Sequence, residues 1–189
     1  RICINLTNCN YSVIQLVCEK QLGWRVIKND EENTNCDIIW SDSHPSEVLL
    51  SKLKPYQRLN HFPGISAIGR KDFLANNLNR MKAAFPTFYD FFPDTFCLPA
   101  EKNKVRQLFE GKRTGQVLIV KPDASSEDRG IFLARRFEDL PIHDNYVVQK
   151  YVKHPYLIDG LKFDMRVYVV IASVEPLRVY VYKNGIARF

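Results

Sequence analysis

Three charged residues at alternate positions, Lys162, Asp164 and Arg166, are the first candidates for chemistry in this sequence. Successive side chains of a β-strand point to opposite faces, so one strand would place all three on one face at intervals of roughly 7 Å. The residues between them are apolar and would pack on a core. Because buried charges need a charged partner, the pattern indicates a site for a nucleoside triphosphate with its metal. The alternative is a surface strand whose charges form solvated salt bridges.

Other apolar runs bring further polar groups to defined places. The run 117–120 ends at Lys121, a polar loop follows over 123–130, and a second run covers 131–134. A later run carries the segment 149–152. Short β-type runs that each deliver a polar group predict a cradle of strands for phosphates and a base.

These strands need supporting elements, and apolar periodicity predicts them. Ser46 is the expected N-cap of its helix, which Pro55 ends. Asn184-Gly185 between two apolar runs predicts a β-hairpin, in whose returning strand Ile186 and Arg188 share a face. The sequence predicts helices over 10–21, 46–53, 70–84 and 101–110 and short strands over 2–6 and 36–40.

Composition narrows the class of protein. The 189 residues are 46% hydrophobic and carry a net charge of +6, with nine basic and five acidic residues between 61 and 120. A basic surface favours polyanionic partners, namely nucleic acid, acidic lipid or an acidic protein tail, although a mildly basic solvated surface fits equally. No apolar stretch approaches the ~18 residues that cross a membrane, and no signal peptide is evident. The chain begins with Arg1 and ends in an apparent strand, so we expect an excerpt.

Several familiar motifs are absent from the sequence. The five cysteines form no Cys-x-x-Cys pair and are expected to be buried reduced thiols. Residues 111–114 lack the glycine spacing and the Gly-Lys-Ser/Thr ending of a P-loop. A kinase catalytic loop and a His-Glu-x-x-His motif are also missing. His61 beside Pro63-Gly64 is expected to be structural.

An ordered set of short motifs resembles the tubulin tyrosine ligase-like family, most closely its polyglutamylase branch. Each motif is weak alone, but together they cover nearly the whole chain in the right order. The motifs are Asn60-His-Phe-Pro-Gly, Arg70-Lys-Asp, Cys97-Leu-Pro-Ala, Val120-Lys-Pro, Arg129-Gly-Ile-Phe, Gln149-Lys-Tyr-Val, Leu157-Ile-Asp-Gly-x-Lys-Phe-Asp-Met-Arg and Pro176-Leu-Arg-Val-Tyr-Val-Tyr.

The resemblance implies a mixed α/β (α+β) fold of the ATP-grasp type. It implies a small N-terminal β/α domain over 1–58 and a central ATP-grasp-like domain over 59–152. The start of a C-terminal sheet domain would follow over 153–189. ATP would lie between the sheets of the central and C-terminal domains.

The resemblance also implies an activity, namely ATP-dependent addition of L-glutamate to side-chain carboxylates of acidic tubulin tails. ATP would convert the carboxylate to an acyl phosphate that the amine attacks, so positioning and charge neutralisation would dominate catalysis. The cofactors would be ATP and Mg²⁺. We expect the protein ligands of Mg²⁺ beyond the end of this sequence. The protein would be a cytoplasmic monomer on the cytoskeleton, in the cilium or at the basal body, without nucleic acid or membrane insertion.

Residue roles follow from the matching positions. Lys121 would neutralise phosphate charge, and Lys162 and Asp164 would hold phosphate and ribose or the reacting groups. Arg166 would face the reaction centre, and Arg188 would bind a carboxylate of the incoming glutamate with its planar fork. A loop over the phosphates would comprise Glu127, Asp128, Arg129 and Gly130, and a hinge offering backbone groups to adenine would comprise Gln149, Lys150, Tyr151 and Val152.

The loop departs from the family pattern. Where the glutamylases read Gln-Gly-[Lys/Arg]-Gly, this chain has Asp128 in place of a glycine and Glu127 at a position associated with the protein acceptor. Asp128 restricts the backbone and brings negative charge near phosphates. Glu127 would repel an acidic tail. Two alternatives stay open: a ligase for glycine or another amino acid, and a non-catalytic, nucleotide-regulated microtubule-binding module, which the acidic loop favours.

Overall fold

The computed structural model describes residues 1–29, 35–110, 115–123 and 129–189. These residues form two compact units, Arg1–Phe73 and Leu74–Phe189. Both units combine helices with short strands, which confirms the predicted mixed α/β class. The predicted division into three domains at 58 and 152 stays a prediction. Within the described ranges no helix is both long and apolar enough to cross a bilayer.

The first unit is organised around a parallel sheet whose described strands run in the order β2-β1-β3-β4. Ile4 and Leu6 are almost fully buried beside Cys18, so the apolar run at the chain start fills the core. The strands are β1 (Cys3–Asn5), β2 (Arg25–Ile27), β3 (Ile38–Ile39) and β4 (Arg58–Leu59).

Helices form close to each of the four predicted ranges, and two of them lie between strands of this sheet. Ser46 caps α2 (Glu47–Lys52), because its hydroxyl oxygen accepts a hydrogen bond from the Leu49 N–H at 3.1 Å. The long predicted helix is α4. The other helices are α1 (Ser12–Leu16), which continues as a π-helical turn over Val17–Gln21, α3 (Ser66–Gly69), α4 (Lys71–Ala84) and α5 (Lys102–Glu110).

The second unit contains an antiparallel sheet in the order β5-β8-β6-β7. Side-chain alternation along β6 explains its two faces. Leu118 and Val120 point to one side and are 0% exposed, packed with Val105 of α5. Lys121 therefore points to the other side. The strands are β5 (Thr95–Leu98), β6 (Leu118–Pro122), β7 (Phe132–Ala134) and β8 (Tyr146–Lys150), and a 3-10 turn spans Phe137–Asp139.

The C-terminal part of this unit consists of short antiparallel pairs, β9 with β10, β11 with β14 and β12 with β13. Their side chains are mostly exposed among the described residues, in contrast to those of β6 and β8. The strands are β9 (Leu157–Ile158), β10 (Leu161–Lys162), β11 (Asp164–Arg166), β12 (Val169–Val174), β13 (Leu177–Val181) and β14 (Ile186–Arg188).

The prediction of a β-hairpin at Asn184-Gly185 is wrong. β13 pairs with β12, and β14 pairs with β11, so no hairpin forms across Lys183-Asn184-Gly185. Gly185 lacks the positive φ that a type I′ turn requires. It is instead a point of close approach, because a Cβ there would clash with the Arg166 carbonyl oxygen.

The prediction that one strand carries Lys162, Asp164 and Arg166 is also wrong. Phe163 separates β10 from β11, and the two strands pair with different partners. Asp164 and Arg166 still alternate along one strand. Lys162 lies across the break, so strand alternation alone does not place it on their face.

Candidate functional site

The outer face of the four-stranded sheet carries a chain of polar side chains. Lys121 Nζ donates a hydrogen bond to Gln149 Oε1 at 3.0 Å, and Gln149 Nε2 donates to Thr95 Oγ1 at 2.8 Å. Three strands contribute, because Gln149 of β8 faces Ile119 of β6 on one side and Thr95 of β5 on the other. Lys121 and Gln149, both predicted site residues, therefore meet.

Apolar side chains form a floor beside these polar groups. Val117, Ile119 and Leu133 lie on the same face as Lys121 by strand alternation and register. A cavity of about 440 Å³ opens at the Val117 end of this face, beside Tyr151 and away from the Lys121 end of β6. Its lining residues are Gly115, Gln116, Val117, Leu133, Arg135, Tyr151 and Lys153.

The predicted hinge begins in the last two residues of β8, Gln149 and Lys150, and continues beyond the strand. The Lys150 N–H donates to the Asp94 carbonyl at 2.9 Å, and the Tyr151 N–H donates to the Val117 carbonyl at 3.0 Å. Both N–H groups are therefore engaged within the protein, and the predicted contact with adenine would fall to other backbone groups of the segment. Val152 comes next in the chain, and its side chain is 55% exposed.

Lys162 approaches the same end of β8. Its Nζ donates to the Tyr151 hydroxyl at 3.3 Å and lies 5.1 Å from the centroid of the Tyr151 ring, a cation–π distance. Tyr151 is two residues after Gln149, so both side chains lie on one face. The tertiary structure therefore brings Lys121 and Lys162 to neighbouring residues of one strand end.

Asp164 and Arg188 form a bidentate ion pair across β11 and β14. The two guanidinium–carboxylate distances are both 2.6 Å. The hydrogen bonds from Arg188 lower the pKa of Asp164, and the charges of Arg188, Arg166 and Lys162 lower it further. Burial opposes this shift. The predicted charged residues thus surround one carboxylate, with Arg188 paired to Asp164.

The predicted phosphate loop is only partly described. Glu127 and Asp128 lie outside the described residues. Arg129 and Gly130 are exposed, and Gly130 has a φ of 72°. A Cβ at Gly130 would lie 3.1 Å from Pro122 Cγ, so glycine suits both the backbone conformation and the close approach to the residue after Lys121.

Thr95 is a site residue that the sequence analysis missed. It is 6% exposed, donates its hydroxyl proton to the Pro93 carbonyl at 2.8 Å and accepts from Gln149. A threonine at the start of an apolar run, here between Asp94 and Phe96, is ordinary in a strand, so the local sequence carries no signal for this role. Only the register of β5 against β8 reveals it.

The described residues contain no group of three or more His, Cys, Asp or Glu side chains placed to bind a metal ion. The cysteines described are free, but only Cys18 and Cys36 are buried as expected, and burial raises the pKa of Cys36. His61, expected to be structural, contacts the Ser41 carbonyl oxygen through Nε2 at 2.9 Å. We therefore assign no metal ligand.

The fold and the site together define a class of protein: an α/β protein with a candidate ligand site on an open sheet face. The site offers cations for an anionic group and an apolar floor for a planar group. The profile of the tubulin-tyrosine ligase family matches residues 49–189. The chain belongs to this family.

Similar curated proteins support the same placement. The chain is 46% identical over 187 residues to a probable beta-tubulin polyglutamylase of Tetrahymena thermophila, covering 98% of this chain and 16% of that protein. It is 42% identical over 188 residues to tubulin polyglutamylase TTLL13 of Mus musculus, covering 100% of this chain and 23% of that protein. It is 41% identical over 189 residues to tubulin polyglutamylase TTLL6 of Mus musculus, covering 100% of this chain and 22% of that protein. The chain thus spans less than a quarter of each of these relatives.

Proposed function

We propose that this chain forms the nucleotide-binding part of an ATP-dependent ligase that adds glutamate to side-chain carboxylates of acidic tubulin tails. One observation carries the proposal. Lys121 and Lys162, which are far apart in sequence, contact Gln149 and Tyr151 on one face of β8 and its continuation. Two cations held at successive same-face residues of one strand end, beside apolar side chains, suit a ligand with a polyphosphate and a planar base.

The residues present fit ATP. Lys121 supplies positive charge where a phosphate would lie, and Gln149 keeps its ammonium group above the sheet. Val117 and Leu133 offer apolar contact to a purine ring in the cavity, and the Tyr151 ring supports Lys162. A cavity of about 440 Å³ is within the range that small-molecule sites occupy.

When bound, ATP would supply a phosphoryl group to activate the acceptor carboxylate, with ADP leaving, and the amine of glutamate would then displace inorganic phosphate to form the amide bond. The chain's contribution is positioning and charge neutralisation. Lys162 and Arg166 place positive charge around the carboxylate of Asp164. Mg²⁺ belongs to the proposal as the partner of the phosphates, without an assigned ligand.

Arg188 is proposed to bind a carboxylate of the incoming glutamate. Its bidentate pair with Asp164 supports this role, because the guanidinium already donates two parallel hydrogen bonds to a carboxylate. A substrate carboxylate would share or replace that partner. The names of the relatives support glutamate as the amino acid and tubulin as the acceptor, and hence a location on the cytoskeleton.

The test is glutamate incorporation into tubulin by the full protein carrying Lys121→Ala. We expect incorporation to fall to background and ATP affinity to fall about 10- to 100-fold, because a charge-assisted contact to phosphate is lost. Lys104→Ala is the matched control, since Lys104 lies on α5 with 68% of its side chain exposed and pairs only weakly with Glu101 at the surface.

The outcomes separate the alternatives. Undiminished turnover by Lys121→Ala would refute the proposal. Wild-type protein that binds ATP and microtubules without incorporating glutamate would support the non-catalytic module. Incorporation of glycine in place of glutamate, measured by competition between labelled amino acids, would support the other ligase.

A further inference from the structure

We propose that Thr95 is a positioning residue for Lys121, acting through Gln149. The inference rests on the proposed function, in which Lys121 binds nucleotide. Thr95 lies on β5 and is 6% exposed. Its side chain is connected to Lys121 by two successive hydrogen bonds, of 2.8 Å and 3.0 Å, with the Gln149 amide between them.

The direction of each hydrogen bond follows from the one before it. A carbonyl oxygen can only accept a hydrogen bond. The Thr95 hydroxyl therefore donates its single proton to the Pro93 carbonyl, 2.8 Å away. Towards Gln149 the hydroxyl can then only accept. The Gln149 amide must present its NH₂ group to Thr95 and therefore its oxygen to Lys121.

This order matters because the amide of glutamine has two unlike ends. An ammonium group only donates, so Lys121 needs the oxygen of Gln149 and would be repelled by its NH₂ group. Lys121 favours this orientation from the solvent side of the amide, and the buried Thr95 hydroxyl fixes it from the other side even when the lysine moves to a ligand. The threonine thereby selects the rotamer that holds the Lys121 ammonium over the sheet.

Thr95 is itself held firmly. Its backbone pairs with Gln149 in the β5–β8 ladder, and its carbonyl accepts a hydrogen bond from Asn79 Nδ2 of α4 at 2.8 Å. The hydroxyl is fixed to Pro93 two residues earlier. The anchor of the relay is therefore part of the packed sheet, while Lys121 at the other end faces the proposed ligand.

The experiment measures ATP dissociation constants for Thr95→Val and Thr95→Ser in the full protein. Valine keeps the shape and removes the hydroxyl, and we expect its Kd to rise about tenfold. Serine keeps the hydroxyl, and we expect its Kd to stay within about twofold of wild type. The KM for ATP should rise more than kcat falls, since the residue orients a binding group.

A double-mutant cycle with Gln149→Leu tests the route. If Thr95 acts through the amide, Thr95→Val should have no further effect on Kd in the Gln149→Leu background. Equal losses in both backgrounds, or wild-type Kd in Thr95→Val, would overturn the inference.

A second readout needs no nucleotide. In NMR spectra of wild type and Thr95→Ser, the side-chain NH₂ of Gln149 should exchange slowly with water, and in Thr95→Val it should exchange rapidly. Fast exchange in wild type would refute the relay even if ATP binds. Slow exchange in a wild-type protein that binds no ATP would support the relay and reject the proposed nucleotide site.

Discussion

The four-stranded sheet and the C-terminal strands place their charged residues by different means. In the sheet, Leu118, Val120 and Val148 are 0% exposed, so packing fixes the strand that carries Lys121. In the segment 157–189 most apolar side chains are exposed, with Leu177 at 69% and Met165 at 71%. There, strand pairing and the Asp164–Arg188 ion pair define the geometry. The positions of the charged side chains are thus fixed by core packing in the four-stranded sheet and by polar contacts in the C-terminal strands.

The largest expected effect is the loss of folding stability when a buried leucine of the four-stranded sheet is truncated. Without this loss, the contrast in packing between the two regions would not hold. Leu118→Ala should lower the free energy of unfolding by about 2–5 kcal/mol, because it leaves a cavity in the core. Leu177→Ala removes the same atoms from an exposed position and should change it by less than about 0.5 kcal/mol. Urea unfolding followed by circular dichroism measures both. Equal losses for the two variants would mean that the regions do not differ in packing.

The next effect concerns the pairing of β11 with β14. Gly185→Ala should lower stability of this pair by about 1–3 kcal/mol, because its Cβ must displace the Arg166 carbonyl oxygen. Faster amide hydrogen exchange in β11 and β14, with β6 unchanged, is the measurement. Gly69→Ala is the control, since no atom lies within 4 Å of a Cβ there. Unchanged exchange in Gly185→Ala would show that the close approach does not constrain the strands.

The smallest expected effect is a change in the pKa of one carboxyl group, in a comparison of the Asp164–Arg188 and Asp139–Arg136 ion pairs. Arg188 lowers the pKa of Asp164, and Arg136 lowers that of Asp139 in the central region. Because the folded-state pKa is depressed, each pair stabilises the fold above the unfolded carboxyl pKa of about 3.9 and loses this contribution as pH falls through the lower folded value.

Arg188→Gln should therefore raise the pKa of Asp164 towards its ordinary value and leave that of Asp139 unchanged. NMR titration of the two carboxyl carbons measures this. A shift at both residues would mean that the variant alters the whole unit, and a shift at neither would exclude Arg188 as the cause.

Local signals predicted much of the chain correctly. The Ser46 cap and α4 follow from side-chain chemistry and apolar period within a few residues, so tertiary contacts are not needed to specify them. The ordered motifs likewise predicted the family, which the profile match over 49–189 confirms. The residue roles stay predictions, since no ligand contact tests them.

The errors lie where partner choice is long-range. Asn184-Gly185 has the residue types of a hairpin turn, yet β14 pairs with β11, some twenty residues earlier. The break at Phe163 has the same origin, because β10 and β11 join different strands. Local propensity cannot encode which of several exposed strands a segment will join.

The sequence by itself determined the alternation that puts Leu118 and Val120 on one side of a strand and Lys121 on the other. It also determined that Gln149 and Tyr151 share a face, since the period of a strand is fixed by backbone geometry. Only the tertiary structure decided that Thr95 meets Gln149, that Lys162 meets Tyr151 and that Asp164 meets Arg188. These contacts depend on strand register and order, which burial of the whole core selects among many locally equivalent pairings.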